Sequence, residues 1–181
     1  MRKAFSGPKE GESEVRPFQP QIKLQLPLLV SQLAFTADEQ YLVLSAQPGG
    51  GLAVYDVQQL STGDSKATFE LSTNGETLRV ITPNPAAESA ELCAIVTDNG
   101  NLLMANLKER KLAGNTKGQG LKTQVSCVTW SNKGKQLVAG LADGSVHQMT
   151  PNGEVKGIIP KPPGLGDYYG GYCFLCLHGV C

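Results

Sequence analysis

Short apolar runs separated by turn signals fill most of the chain after residue 23. Residues 30–35, 41–46 and 52–57 are apolar runs that include β-branched and aromatic residues, and a polar turn at 36–40 and a Pro-Gly-Gly-Gly turn at 48–51 separate them. Runs of about four to eight such residues, bounded by turn signals, are typical of strands. Since no segment carries the apolar stripe of a long helix, the pattern predicts an all-β chain.

The apolar runs recur with a period of about 47 residues. Val30, Leu78 and Val125 begin equivalent runs, and they lie 48 and 47 residues apart. A hairpin glycine follows in each copy, and these are Gly51, Gly100 and Gly144. A unit of this length with four strands is typical of a β-propeller blade. One four-stranded sheet covers neither of its faces alone, so the units are expected to stack on one another.

We therefore predict an all-β fold that is a partial β-propeller of about three four-stranded blades. The blades are expected over approximately residues 24–73, 74–121 and 122–165. Residues 1–23 are polar and rich in turn signals, which indicates an extended linker or the end of a preceding blade. Residues 166–181 form an atypical Tyr- and Cys-rich tail. Because propellers close with about four to eight blades, three blades indicate a piece of a larger ring.

Composition excludes some classes of partner. The 181 residues include 16 Lys and Arg against 16 Asp and Glu, so the formal charge is zero and no direct nucleic-acid binding is expected. No apolar run approaches the roughly 18 residues that span a bilayer, so no membrane insertion is expected. The first residues, Met1-Arg2-Lys3, are not followed by an apolar stretch, which argues against a signal peptide.

The charges are unevenly distributed although they cancel. Residues 24–91 contain two basic and eight acidic side chains, whereas residues 92–161 contain nine basic and four acidic side chains. Neighbouring blades of opposite sign can steer a charged partner to one sector of a ring. A solvated surface without any partner is the simpler interpretation of the same charges.

The usual patterns of enzyme active sites are missing from the sequence. His147 lies in a predicted strand, where a structural role is the simpler interpretation, and no Gly-x-Ser-x-Gly motif occurs. The segment 118–120 (Gly-Gln-Gly) follows no strand and opens no helix, so it is not a dinucleotide motif. Gly134-Lys135 is followed by Gln136 rather than Ser or Thr, which excludes a Walker motif. We predict no enzyme, no catalytic residue and no cofactor.

The tail contains four side chains of the zinc-binding type, Cys173, Cys176, His178 and Cys181. Structural zinc sites usually separate two ligand pairs by a loop of about a dozen residues, and these four fall within nine. No metal site is therefore predicted. As a hypothesis, the tail is a translated intron or an alternative end, which sequencing of the transcript tests.

Several motifs together resemble one family of proteins. They lie, in order, at residues 3–6, 49–57, 101–107, 133–140 and 148–153. They look like the N-terminal β-propeller of the fungal cytoplasmic-filament FG nucleoporin, the counterpart of the animal nucleoporin called CAN. The resemblance runs from about Lys3 to Leu165 and leaves out the tail.

The resemblance implies a location and a partner. Such propellers have seven blades, lie at the cytoplasmic face of the nuclear pore complex and dock the DEAD-box helicase of mRNA export, so this helicase and other nuclear pore proteins are the implied partners. Family members carry Phe-Gly repeats elsewhere, and this sequence has no Phe-Gly dipeptide. The helicase-docking loops belong to later blades, so the residues that bind a partner stay unknown.

Two alternatives to a pore module remain from the sequence. One is a generic WD40-like scaffold for protein interactions, although Tyr55-Asp56 stands where a WD repeat has Trp-Asp. The other is a truncated, non-functional gene product, because half a ring leaves strands unpaired at both ends.

Overall fold

The computed structural model describes residues 29–45, 50–115, 121, 123–161 and 163. Within these ranges the chain forms twelve strands, one short α-helix and one turn of 3₁₀ helix. The strands make three four-stranded antiparallel sheets, and each strand pairs with the next one along the chain. The predicted all-β fold, with about three four-stranded blades of a partial propeller, is confirmed.

The first sheet has four strands, and the α-helix connects two of them. The strands are β1 (Leu33–Phe35), β2 (Tyr41–Ser45), β3 (Leu52–Asp56) and β4 (Phe69–Leu71), and the helix α1 (Val57–Ser61) lies between β3 and β4. The strand predicted over 52–57 ends at Asp56, because this residue caps the helix. Its carboxylate accepts hydrogen bonds from the amides of Gln58 and Gln59, at 2.8 and 3.0 Å. The apolar pattern of the sequence does not predict this helix.

The second sheet begins after a turn at residues 72–77. Its strands are β5 (Leu78–Pro83), β6 (Leu92–Thr97), β7 (Leu102–Asn106) and β8 (Lys111–Asn115), and the 3₁₀ turn (Ala87–Ser89) lies between β5 and β6. Gly100 closes the β6–β7 hairpin with a φ of 74°. Its amide donates to the carbonyl of Thr97 at 2.9 Å. The glycine therefore forms the tight turn that the Asn-Gly pair predicts.

The third sheet repeats this order without a helix. Its strands are β9 (Val125–Trp130), β10 (Leu137–Leu141), β11 (Val146–Met149) and β12 (Val155–Ile159). The β10–β11 hairpin turns at Gly144, which has a φ of 83°. The hairpin signal therefore occurs at the same place in the second and third sheets.

The cores lie between the sheets, which pack face to face. Alternate residues of β6 point to opposite faces, as in any strand. Cys93 and Ile95 pack with the first sheet, whereas Ala94 and Val96 pack with the third. All four side chains are fully buried, because the second sheet is covered on both sides. This explains the uninterrupted apolar run of β6 in the sequence.

The first strands of the three sheets lie side by side and point the same way. Arg79, near the start of β5, contacts the start of β9, and Asn84, just after β5, contacts the turn that follows β9. Gly50, which precedes β3, lies against Glu76, which precedes β5. As a result the β1–β2, β5–β6 and β9–β10 connections gather at one end of the sheets, here called the turn end.

Candidate functional site

Side-chain hydrogen bonds join the second sheet to the third along their first strands. The guanidinium of Arg79 donates to the carbonyls of Val125 and Ser126, at 2.7 and 3.1 Å. The indole Nε1 of Trp130 donates to the carbonyl of Thr82 at 2.9 Å. Both donors satisfy backbone oxygens of a neighbouring sheet, which fixes the two sheets in register. Trp130 is therefore a core residue, as expected from the sequence, and so is the buried Tyr55.

The β9–β10 connection is held by a residue of the β5–β6 connection. Asn84 is fully buried, and its amide donates to the carbonyl of Gly134 at 2.9 Å. Its oxygen accepts from the amide of Ala86 at 2.9 Å. Gly134 has a φ of 65°, and a Cβ at this position would overlap the Asn84 side chain. Only glycine fits both the backbone conformation and the space.

Two lysines flank this fixed glycine. Lys133 and Lys135 are exposed, and the turn between them is closed by a hydrogen bond from the Gly134 amide to the Ser131 carbonyl at 2.7 Å. Residues 131–136, here called the lysine turn, border an open groove of about 380 Å³. The groove is lined by Ser131, Asn132, Lys133, Lys135 and Gln136.

The corresponding turn of the first sheet is acidic. In the β1–β2 connection the Asp38 carboxylate accepts from the Thr36 hydroxyl at 2.6 Å and from the Gln40 amide at 3.2 Å. Asp38 and Glu39 are both exposed. The turn end therefore carries negative charge on the first sheet and positive charge on the third, so the charge asymmetry of the sequence becomes an asymmetry of one surface.

The first sheet exposes apolar side chains on the face that points away from the second sheet. Ala34 packs toward the second sheet, whereas its neighbours Leu33 and Phe35 are 63% and 56% exposed. On the second sheet, the face that points toward the preceding sheet carries Ile81 and Ile95, which are both buried. The exposed pair therefore occupies positions that a neighbouring sheet covers elsewhere in the fold.

Cys93 and His147 are two buried titratable side chains among the described residues. Cys93 is a free thiol, and complete burial raises its pKa to about 12, so it is not a thiolate nucleophile at neutral pH. His147 is 6% exposed within β11, and its Nδ1 has no hydrogen-bond partner in the part of the chain described. The imidazole is therefore a core group, in line with the structural role expected from the sequence.

A carboxylate of the β10–β11 hairpin, Asp143, has a lowered pKa. The Ser145 hydroxyl donates to Asp143 at 2.7 Å and is the main cause of this lowering. Both hydrogen bonds of Asp143 close the β10–β11 hairpin, since the Ser145 amide also donates to it. The lowered pKa thus belongs to a turn rather than to a catalytic pair.

No group of three or more potential metal ligands occurs among the residues that the structure describes. The tail residues Cys173, Cys176, His178 and Cys181 and the segment 118–120 lie outside those residues. No helix in the described ranges is long and apolar enough to cross a membrane.

Three face-packed, four-stranded meanders with their first strands side by side define a class of protein, the β-propeller. A family model described as the NUP159/214 beta propeller matches residues 1–173. The chain belongs to this family and is a nucleoporin propeller, which confirms the resemblance found in the sequence.

Three curated relatives agree with this family. The chain is 65% identical to the nucleoporin NUP159 of Chaetomium thermophilum over 169 residues, which cover 93% of the chain and 11% of the relative. It is 30% identical to nucleoporin nup146 of Schizosaccharomyces pombe over 77% of the chain and 10% of the relative. It is also 30% identical to the nuclear pore complex protein Nup214 of Drosophila melanogaster, over 82% of the chain and 9% of the relative. The chain thus spans about a tenth of the length of these relatives.

Proposed function

We propose that the chain is part of a non-enzymatic docking module at the cytoplasmic face of the nuclear pore complex. The observation that carries the proposal is the family match over residues 1–173, joined to a fold that presents turns and sheet faces. The three relatives are nucleoporins, which supports the nuclear pore as the location.

The proposed partner is the DEAD-box helicase of mRNA export, together with other nuclear pore proteins. In this role the propeller positions the helicase so that mRNA is released on the outer side of the pore. Support comes from the resemblance of the sequence to the family.

Titration of the purified helicase into the complete propeller that contains this chain tests the proposal. We expect saturable binding with a Kd of about 1 μM or tighter, and added RNA is expected to abolish it if the propeller and RNA compete for the helicase. The same titration is made with helicase free of nucleotide and RNA and with helicase saturated with RNA, and the two affinities are compared. Absence of binding at micromolar concentrations would contradict helicase docking.

A generic WD40-like scaffold is the second candidate function. The observation that favours it is the turn end, where the exposed Asp38 and Glu39 of the first sheet and Lys133 and Lys135 of the third can meet a charged partner other than a helicase. If the helicase does not bind but the propeller retains other pore proteins from a defined mixture of purified nucleoporins, this second candidate replaces the first.

A further inference from the structure

The lysine turn carries two cations, one on each side of Gly134. Lys133 and Lys135 are exposed, and neither forms an ion pair within the described part of the chain. The turn also provides polar side chains that can donate hydrogen bonds, Ser131 and Asn132, along the same groove. Cations and hydrogen-bond donors that converge on one groove are a suitable surface for carboxylates.

The turn is also rigid where the lysines emerge. The carbonyl of Gly134 accepts a hydrogen bond from Asn84, a buried residue of the β5–β6 connection, and the Ser131 side chain accepts from the Gln136 amide at 3.1 Å. The backbone of both lysines is thereby fixed before any partner arrives. A preformed surface loses less conformational entropy on binding, which raises affinity.

From these observations we propose that the lysine turn and its groove dock an acidic segment of a partner protein. A single-stranded nucleic acid is the other polyanion to consider. Such ligands are usually bound by stacking their bases on aromatic side chains, and no aromatic residue lines this groove. The balanced net charge of the chain also lacks the footprint of a nucleic-acid binder. The inference does not depend on which partner the remainder of the propeller binds.

A fluorescent peptide of about twelve residues, half of them glutamate, is the probe. Its anisotropy is followed while the full chain is added at about 0.1 M salt, where surface charges still interact over roughly 10 Å. The test variant is Lys133→Glu with Lys135→Glu. The control variant is Lys108→Glu with Lys156→Glu, which reverses two exposed lysines in other elements and changes the net charge equally. Circular dichroism verifies that both variants fold.

We expect the test variant to bind the peptide about tenfold more weakly than the parent, and the control variant within about twofold of it, because opposed surface charges act locally. Equal weakening in both variants would show that net charge alone attracts the peptide and would overturn the proposal. Absence of saturable binding by the parent would also overturn it. A uridine oligonucleotide that binds the parent more tightly and loses affinity in the test variant would assign the surface to nucleic acid instead.

Discussion

At the scale of single residues, the contact between Asn84 and Gly134 shows how two sheets share one turn. The amide of Asn84 satisfies a carbonyl 50 positions farther along the chain, and the glycine leaves room for it. A buried amide that lost this partner would remain unsatisfied, which is costly in a core. The pair therefore links the stability of the third sheet's first turn to the second sheet.

Substitution of Gly134 by alanine tests this arrangement. We expect the free energy of unfolding to fall by about 2–3 kcal/mol, because the methyl group overlaps Asn84 and the φ of 65° disfavours any side chain. Urea denaturation measures the change. Gly75→Ala is the control, since Gly75 has a φ of 85° but no atom close to the position of an added Cβ. The free energy of unfolding is expected to fall there by only about 1 kcal/mol. Equal losses would contradict the steric part of the argument.

Cys93 is expected to resist alkylation in the folded chain. Because burial raises its pKa to about 12 from 9.0, the thiolate is scarce at pH 8 and the sulfur is covered. Iodoacetamide labelling followed by mass spectrometry should modify Cys93 only after denaturant is added. Rapid labelling under native conditions would contradict this burial.

The same shift has a consequence for alkaline stability. Since the pKa of Cys93 is higher in the folded than in the unfolded state, its contribution to stability is fully present below about pH 9 and is lost as the pH rises toward about 12. The variant Cys93→Ala should lack this alkaline loss, although the cavity lowers its stability at every pH.

At the scale of elements, the sequence predicts strands better than it predicts the helix. The period of about 47 residues and the glycine hairpins identify the strands of the three sheets, because alternation and turn residues are local signals. The helix α1 has only five residues, too few for an apolar stripe, and its cap Asp56 also ends a strand. A short helix held by one cap and by packing leaves little trace in the sequence.

The cap of α1 provides a prediction at this scale. We expect Asp56→Ala to lower the free energy of unfolding by about 1 kcal/mol, because two helix amides lose their acceptor. Asp56→Asn should lose much less, since an asparagine side chain also accepts at this position. Thermal denaturation of both variants provides the comparison. A loss in the asparagine variant as large as in the alanine variant would point to the charge rather than to the cap.

At the scale of the whole molecule, the functional surface is the part that the sequence predicts least. The asymmetry of charge is visible along the chain, but the hydrogen bond from Asn84 that holds the turn between Lys133 and Lys135 is a contact between distant parts of the chain. The exposed face of the first sheet is also difficult to predict. Leu33 and Phe35 have the pattern of ordinary strand residues in the sequence, and only the structure shows that they are exposed. Tertiary contacts of this kind cannot be read from local periodicity.

The exposed pair predicts how the 181-residue chain behaves alone. Replacement of Leu33 and Phe35 by serine should reduce self-association without lowering the melting temperature, because these side chains bury little within the chain. Sedimentation velocity and calorimetry measure the two properties. Leu44→Ser, on the same face but 2% exposed, serves as the control and is expected to lower the melting temperature. A lowered melting temperature in the double variant would show that the pair is packed.

The second sheet, which is covered on both faces, also sets the order in which the molecule opens. Cys93, Ala94, Ile95 and Val96 of β6 lie under two interfaces, so their amides are released to solvent only when both neighbouring sheets separate. Strand β12 is an edge strand of the third sheet, and its side chains Ile158 and Ile159 are exposed. In deuterated buffer, the amides of β6 should therefore exchange slowest, and those of β12 should exchange long before them.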